Sequence, residues 1–98
     1  MDKATAIARL KVHEAELRML GVERLSLFGS TARDEERAES DIDLAARFAP
    51  EAKVGIFQYA KIADRLEQIL TTKVDLVAEP ARKARMQIAI DRDRVHVF

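Results

Sequence analysis

The stretch "FGSTARDEERAESDIDLAARF", Phe28 to Phe48, decides how this chain is read. Its second half alternates. Asp41, Asp43, Ala45 and Arg47 share one side of an extended segment, and Ile42, Leu44, Ala46 and Phe48 share the other, which is the two-residue period of a β-strand. One face should be core and the other chemistry or water. The first half sets Gly29 and Ser30 directly after another alternating run, "VERLSLF", so a strand feeds a glycine turn and then a short helix. Ser30 is placed to cap that helix, which should reach about Glu36.

Upstream, Ile7, Leu10, Leu17 and Leu20 form one helical stripe, predicting a single helix from Asp2 to Leu20 with Gly21 as its left-handed stop. Downstream, Ile56, Tyr59, Ala63, Leu66 and Leu70 recur at three- and four-residue steps, an amphipathic helix that buries Tyr59. "KVDLVA" reads as a third strand with Lys73, Asp75 and Val77 on one side. Pro80 suits the first position of a last helix that runs through "ARKARMQIAI", and "VHVF" reads as a closing strand. The expected fold is α/β (α+β): a small mixed sheet of about four strands with helices packed on it. His13 and His96 read as surface or packing residues, because nothing near them in sequence orients an imidazole.

Composition narrows the function. The 98 residues suffice for one core, so a single domain over 1–98 is expected, with no room for a separate substrate domain. Seventeen basic residues balance seventeen acidic ones, which leaves no global field to attract duplex DNA; anion binding must be local, and direct nucleic-acid binding is not expected. Without cysteine there is neither a disulfide nor a thiol nucleophile. No apolar run is long enough to span a membrane, and the charged N-terminus does not resemble a signal peptide, so the expected location is cytoplasmic.

Against that background two carboxylates in one strand call for a cation. Residues two apart on a strand project the same way with Cα atoms roughly 7 Å apart, so Asp41 and Asp43 repel unless a hard divalent ion such as Mg2+ lies between them. Asp75 interrupts a second apolar strand between Val74 and Leu76. If the two strands are neighbours in register, the three carboxylates converge. Gly29 allows a ligand close to the backbone, and the free N–H groups after it attract phosphate. A metal cage facing an anion cradle fits a nucleoside triphosphate bridged by magnesium.

The pattern Gly29-Ser30, ten residues, Asp41-Ile42-Asp43 and the later Asp75 resembles the nucleotidyltransferase superfamily that includes DNA polymerase β. Over nearly the whole chain it is similar to the minimal nucleotidyltransferases, or MNT proteins. The resemblance implies that Asp41 and Asp43 bind Mg2+, that Asp75 completes the metal site or acts as base toward an acceptor hydroxyl, and that Gly29, Ser30 and Arg33 hold the triphosphate. Arg33 has an alternative as a surface partner of Glu36 or Asp34. Asp34 departs from the family, where glycine commonly follows that arginine, and it adds negative charge in a position prone to left-handed backbone. The family further implies ATP as donor, a HEPN-family RNase toxin as partner, and transfer of AMP to a tyrosine hydroxyl of that toxin by an antitoxin. The alternative is an MNT-like binding module that inhibits its partner by covering it. Transfer to a small molecule is a third idea, weakened by the lack of an acceptor domain. Homodimer and heteromer both stay open.

Overall fold

The computed structural model describes residues 1–98 in the order α1 (Lys3–Val12), α2 (Glu14–Met19), β1 (Val22–Phe28), α3 (Gly29–Ala32), β2 (Ile42–Phe48), a 3-10 turn (Pro50–Ala52), α4 (Ile56–Leu70), β3 (Val74–Ala78), α5 (Ala84–Asp93) and β4 (Val95–His96). The strands form one sheet in the order β3-β2-β1-β4. β1 pairs antiparallel with β2 and β4, while β2 and β3 run parallel, as a helical crossover through α4 requires. The mixed α/β fold expected from the alternations is the fold observed.

One face of the sheet carries the main core. Leu25 and Leu27 from β1, Ile42, Leu44 and Ala46 from β2, and Leu76 from β3 pack with Ala6 and Leu10 of α1, Leu17 of α2, and Ile62, Leu66, Ile69 and Leu70 of α4. These side chains are almost wholly withdrawn from water, and burial of this kind is the dominant favourable term in folding. The opposite face is covered differently. There α5 lays Ile90 on Phe28 and Ala45, so the face read as chemistry or water is in part a second, smaller core.

Several local expectations change. The first helix breaks at His13, which sits between α1 and α2 with an imidazole nitrogen 3.0 Å from the Arg9 carbonyl. Gly21 keeps its left-handed role at φ 113°, but the stripe on α4 is rotated: Ile56 is exposed, whereas Ile62 and Ile69 are buried beside Leu66 and Leu70. The last helix does not start at Pro80. It starts at Ala84, because the Ala81 N–H is taken by the Gln87 side chain at 2.8 Å and Lys83 is still extended. The closing strand shrinks to Val95–His96.

A polar clamp anchors α5 to the sheet. Arg94 forms a two-pronged pair with Glu79, Nη1 to Oε1 at 2.9 Å and Nη2 to Oε2 at 2.5 Å, and also donates to Ser26 Oγ at 3.0 Å. Gln87 donates to the same Glu79 carboxylate at 2.8 Å. Arg94 is the main cause holding the Glu79 carboxyl below its usual range. Ser26, buried in the middle of a strand, thus has a partner, as buried hydroxyls do.

Candidate active site

The site forms on the α5 face, where β1, β2 and β3 end or begin side by side. Asp43 is the register partner of Asp75 across the parallel pair and of Phe28 across the antiparallel one. Neighbouring strands lie about 4.8 Å apart, so the two carboxylates project from adjacent positions on one face. The condition posed by the sequence, neighbouring strands in register, is met for Asp43 and Asp75. Asp41 lies one residue before β2 in exposed, irregular backbone rather than inside the strand. Its charge acts on Asp43, but no group of three Asp, Glu, His or Cys side chains is gathered closely enough to form a ready-made metal cage.

The electrostatics show what is uncompensated. Asp43 is half-buried, and its carboxyl is raised to about 6, first by burial and then by the charges of Asp75 and Asp41, with Arg33 opposing. A strand-borne acid that cannot shed its charge to water and faces a second acid is strained unless it is protonated or meets a cation. The donor set consists of hard carboxylate oxygens, which suits Mg2+. Asp43 and Asp75 would hold such an ion, with Asp41 at the margin.

Gly29 is required for two reasons. Its φ of 73° is left-handed, and a Cβ built there would fall on the Asp43 carboxylate. The turn and the acid therefore fit only with glycine between them. The helix after it is shorter than expected: α3 ends at Ala32, Asp34 turns left-handed at φ 60°, and Ser30 lies inside α3 without forming a capping bond. The Ser30 carbonyl instead accepts from the Glu35 N–H at 2.9 Å, which folds the segment back. Asp34 is directed to Lys3, 3.2 Å from Nζ, and does not line the cleft.

A cleft of about 460 Å³ runs beneath α5, bounded by Gly29, Arg33, Asp43, Asp75, Val77, Met86 and Arg92. Arg33 does not pair with Glu36 or Asp34. It reaches Asp93 at 2.6 Å and Glu35 at 3.3 Å. Arg92 holds the same Asp93 at 2.9 Å, and the two arginines, Arg92 foremost, lower the Asp93 carboxyl to about 2. Arg33 and Arg92 thus place two guanidinium groups on the cleft wall beside Gly29, held in position by the carboxylates of Asp93 and Glu35. Arg92 and Asp93 escaped the sequence reading because Arg33 and Asp93 are 60 residues apart; the only local signal was a run of alternating charge, "DRDR", at the end of a helix.

Comparison with known proteins identifies the family and the fold. Residues 10–95 match the family model described as nucleotidyltransferase domain. The chain is 32% identical over 89 residues to the protein adenylyltransferase MntA of Thermococcus cleftensis, covering 90% of this chain and 88% of that one. A solved structure named a presumed minimal nucleotidyltransferase superposes with a TM-score of 0.81 at 30% identity, over 97% of this chain and 95% of the other. The fold also recurs, at 22% identity and a TM-score of 0.75, in a toxin-antitoxin crystal structure with AMP-PNP, over 92% of this chain and 72% of that one. At 20% identity and a TM-score of 0.65 it recurs in a complex of a tri-AMPylated Shewanella oneidensis HEPN toxin with its MNT antitoxin, over 90% and 68% of the two chains. No helix is long and apolar enough to cross a membrane.

Proposed function

The chain belongs to the nucleotidyltransferase domain family, and from that premise we propose that it transfers AMP from ATP to a tyrosine hydroxyl of a HEPN-type partner toxin, acting as its antitoxin. The observation that carries the reading is the register pair Asp43–Asp75 opposite Gly29 and the Arg33–Arg92 wall. The adenylyltransferase name of the Thermococcus relative and the AMPylated toxin in the Shewanella complex support the donor and the acceptor.

In this mechanism the β- and γ-phosphates rest against Gly29, Ser30 and Arg33, where free N–H groups and guanidinium charge favour them. Arg92 adds a second guanidinium to the same wall. The acceptor oxygen attacks the α-phosphorus; as that O–P bond forms, the bond to the oxygen bridging the β-phosphate breaks, and its electron pair leaves with pyrophosphate. Asp75, exposed at the edge of the sheet, receives the hydroxyl proton. Asp43 and Asp75, with Asp41 alongside, would hold a magnesium ion, which when bound would supply Lewis-acid neutralisation of the phosphate charge. Asp43 is fixed from three sides, by β1, β3 and Gly29, so its position requires no reorganisation during the reaction.

The alternative is inhibition by occlusion without turnover. Negative charge from Asp34 in the phosphate cradle would favour it, but pairing with Lys3 directs that charge away from the cleft. The two separate when purified protein, the HEPN-type partner, magnesium and α-labelled ATP are incubated together. Label on the partner that disappears with Asp43→Ala supports transfer. Inhibition of the partner with no label at all supports occlusion, and label that survives Asp43→Ala removes the assigned site.

A further inference from the structure

The cleft does not end at Asp75. Gly29 follows β1, Asp43 lies on β2 and Asp75 on β3, and β3 is the last strand on that side of the sheet. Beyond it a hollow of about 400 Å³ shares Leu76, Val77 and Met86 with the cleft, so the two adjoin. Its lining is mostly apolar, and the one phenol there, Tyr59, commits its hydroxyl to the Leu76 carbonyl. A second concavity of about 750 Å³ over the first turns of α5 shares Lys83 and Met86 with this hollow, which extends the surface outward.

Cations border these spaces: Arg82 and Lys83 line the hollow, and Lys83 and Arg85 line the concavity beside it. Arg82, Lys83 and Arg85 are all exposed, and none takes part in an ion pair within the chain. Their position works against α5. Cations at a helix N-terminus oppose its dipole, the first turn has no acidic residue, and Lys83 makes no side-chain capping bond. In a chain of zero net charge, these three cations stand together at one end of the cleft without a carboxylate partner.

We infer that this hollow docks the acceptor, a protein segment whose hydroxyl-bearing residue is flanked by acidic side chains. The inference rests on the transferase reading above and names the recognition surface of that same site. In-line displacement brings the nucleophile in opposite the leaving pyrophosphate. With the phosphates on the β1 side at Gly29 and Arg33, the nucleophile enters over β3, past Asp75. An apolar or aromatic side chain of the segment fills the hollow, and its neighbouring carboxylates meet Arg82, Lys83 and Arg85. The uncharged base of the nucleotide would use an apolar pocket but has no use for three unpaired cations.

The test uses a random glutamate–tyrosine copolymer as probe, a lysine–tyrosine copolymer as its counterpart, and a non-hydrolysable ATP analogue with magnesium. The wild-type protein should bind the glutamate copolymer in a salt-sensitive manner and ignore the lysine one. Arg82→Glu with Lys83→Glu should weaken that binding about tenfold or more while leaving the ATP analogue's affinity unchanged. Lys11→Glu with Lys61→Glu, which reverses the same charge away from the cleft, should change neither. No copolymer binding by the wild type, or an equal loss in both double variants, overturns the inference. Lost affinity for the ATP analogue in the Arg82/Lys83 variant also overturns it, by giving the hollow to the nucleotide. Should the copolymer respond as expected while labelled ATP transfers nothing to any acceptor, the acidic-peptide site stands and the transferase reading fails.

Discussion

The two faces of the sheet are closed by different physics. On the face of α1, α2 and α4, a continuous cluster of sixteen buried apolar residues dominates, with ion pairs such as Arg65–Glu16 only at its edge. On the face of α5 the apolar contact shrinks to Phe28, Ala45 and Ile90, and the helix is tied down by ion pairs: Arg94 to Glu79 near the last strand and Arg33 and Arg92 to Asp93 beside the cleft. A face held by directional pairs can leave a gap without collapsing into it. That gap holds Asp43 and Asp75, acids that an apolar seal would have had to neutralise.

The largest effect expected on this contrast is catalytic. Asp43→Ala or Asp75→Ala should lower transfer by roughly 10³-fold or more, about 4 kcal/mol of transition-state stabilisation, with a native circular dichroism spectrum and cooperative melting retained. Transfer is measured with α-labelled ATP. Next comes the apolar face, where Leu66→Ala should cost about 3 kcal/mol in urea unfolding by removing a fully buried side chain, while the residual folded protein keeps its nucleotide affinity. Arg94→Ala should cost about 2 kcal/mol, because it strands the Glu79 carboxylate, whose side chain is only 4% exposed. A larger loss there than at Leu66 would reverse the ranking of the two faces.

The smallest effect has the opposite sign. The folded Asp43 carboxyl, at about 6, lies above its ordinary value of 3.8, so ionising it costs more in the fold than in the unfolded chain. Its penalty is absent below about pH 4, grows as pH rises, and is complete above about pH 6. Asp43→Asn should therefore stabilise the metal-free protein by about 1–2 kcal/mol at pH 7, less than the full shift would give because the half-exposed carboxyl is screened by solvent. The gain should vanish in melts near pH 4. A variant equally stabilised at both pH values would show that packing, not charge, is responsible.

What the sequence could and could not reveal follows from the range of each interaction. The alternation in "DIDLAARF" fixes β2 because a two-residue period is local, and Gly29 is legible because the turn after a strand is local too. That Asp43 and Asp75 are partners depends on which strands are neighbours, and a sequence states this only as a condition. The start of α5 is hidden from the sequence because Pro80 is a good first helical residue by local rules, whereas Gln87 claims the Ala81 N–H through a contact formed only once α5 packs on the sheet. Arg94 and Ser26, 68 residues apart, belong to the same class. Asp41 reads as part of the strand by its alternation, yet the backbone starts pairing one residue later.

The central claim is that Asp43 and Asp75 form the cation-dependent half of a nucleotide site on the α5 face. Titration of a non-hydrolysable ATP analogue into wild-type and Asp43→Asn protein, each with and without magnesium, tests it most directly. The account predicts that magnesium strengthens binding to the wild type and has no effect on the folded variant. Equal magnesium dependence in the two proteins would contradict it.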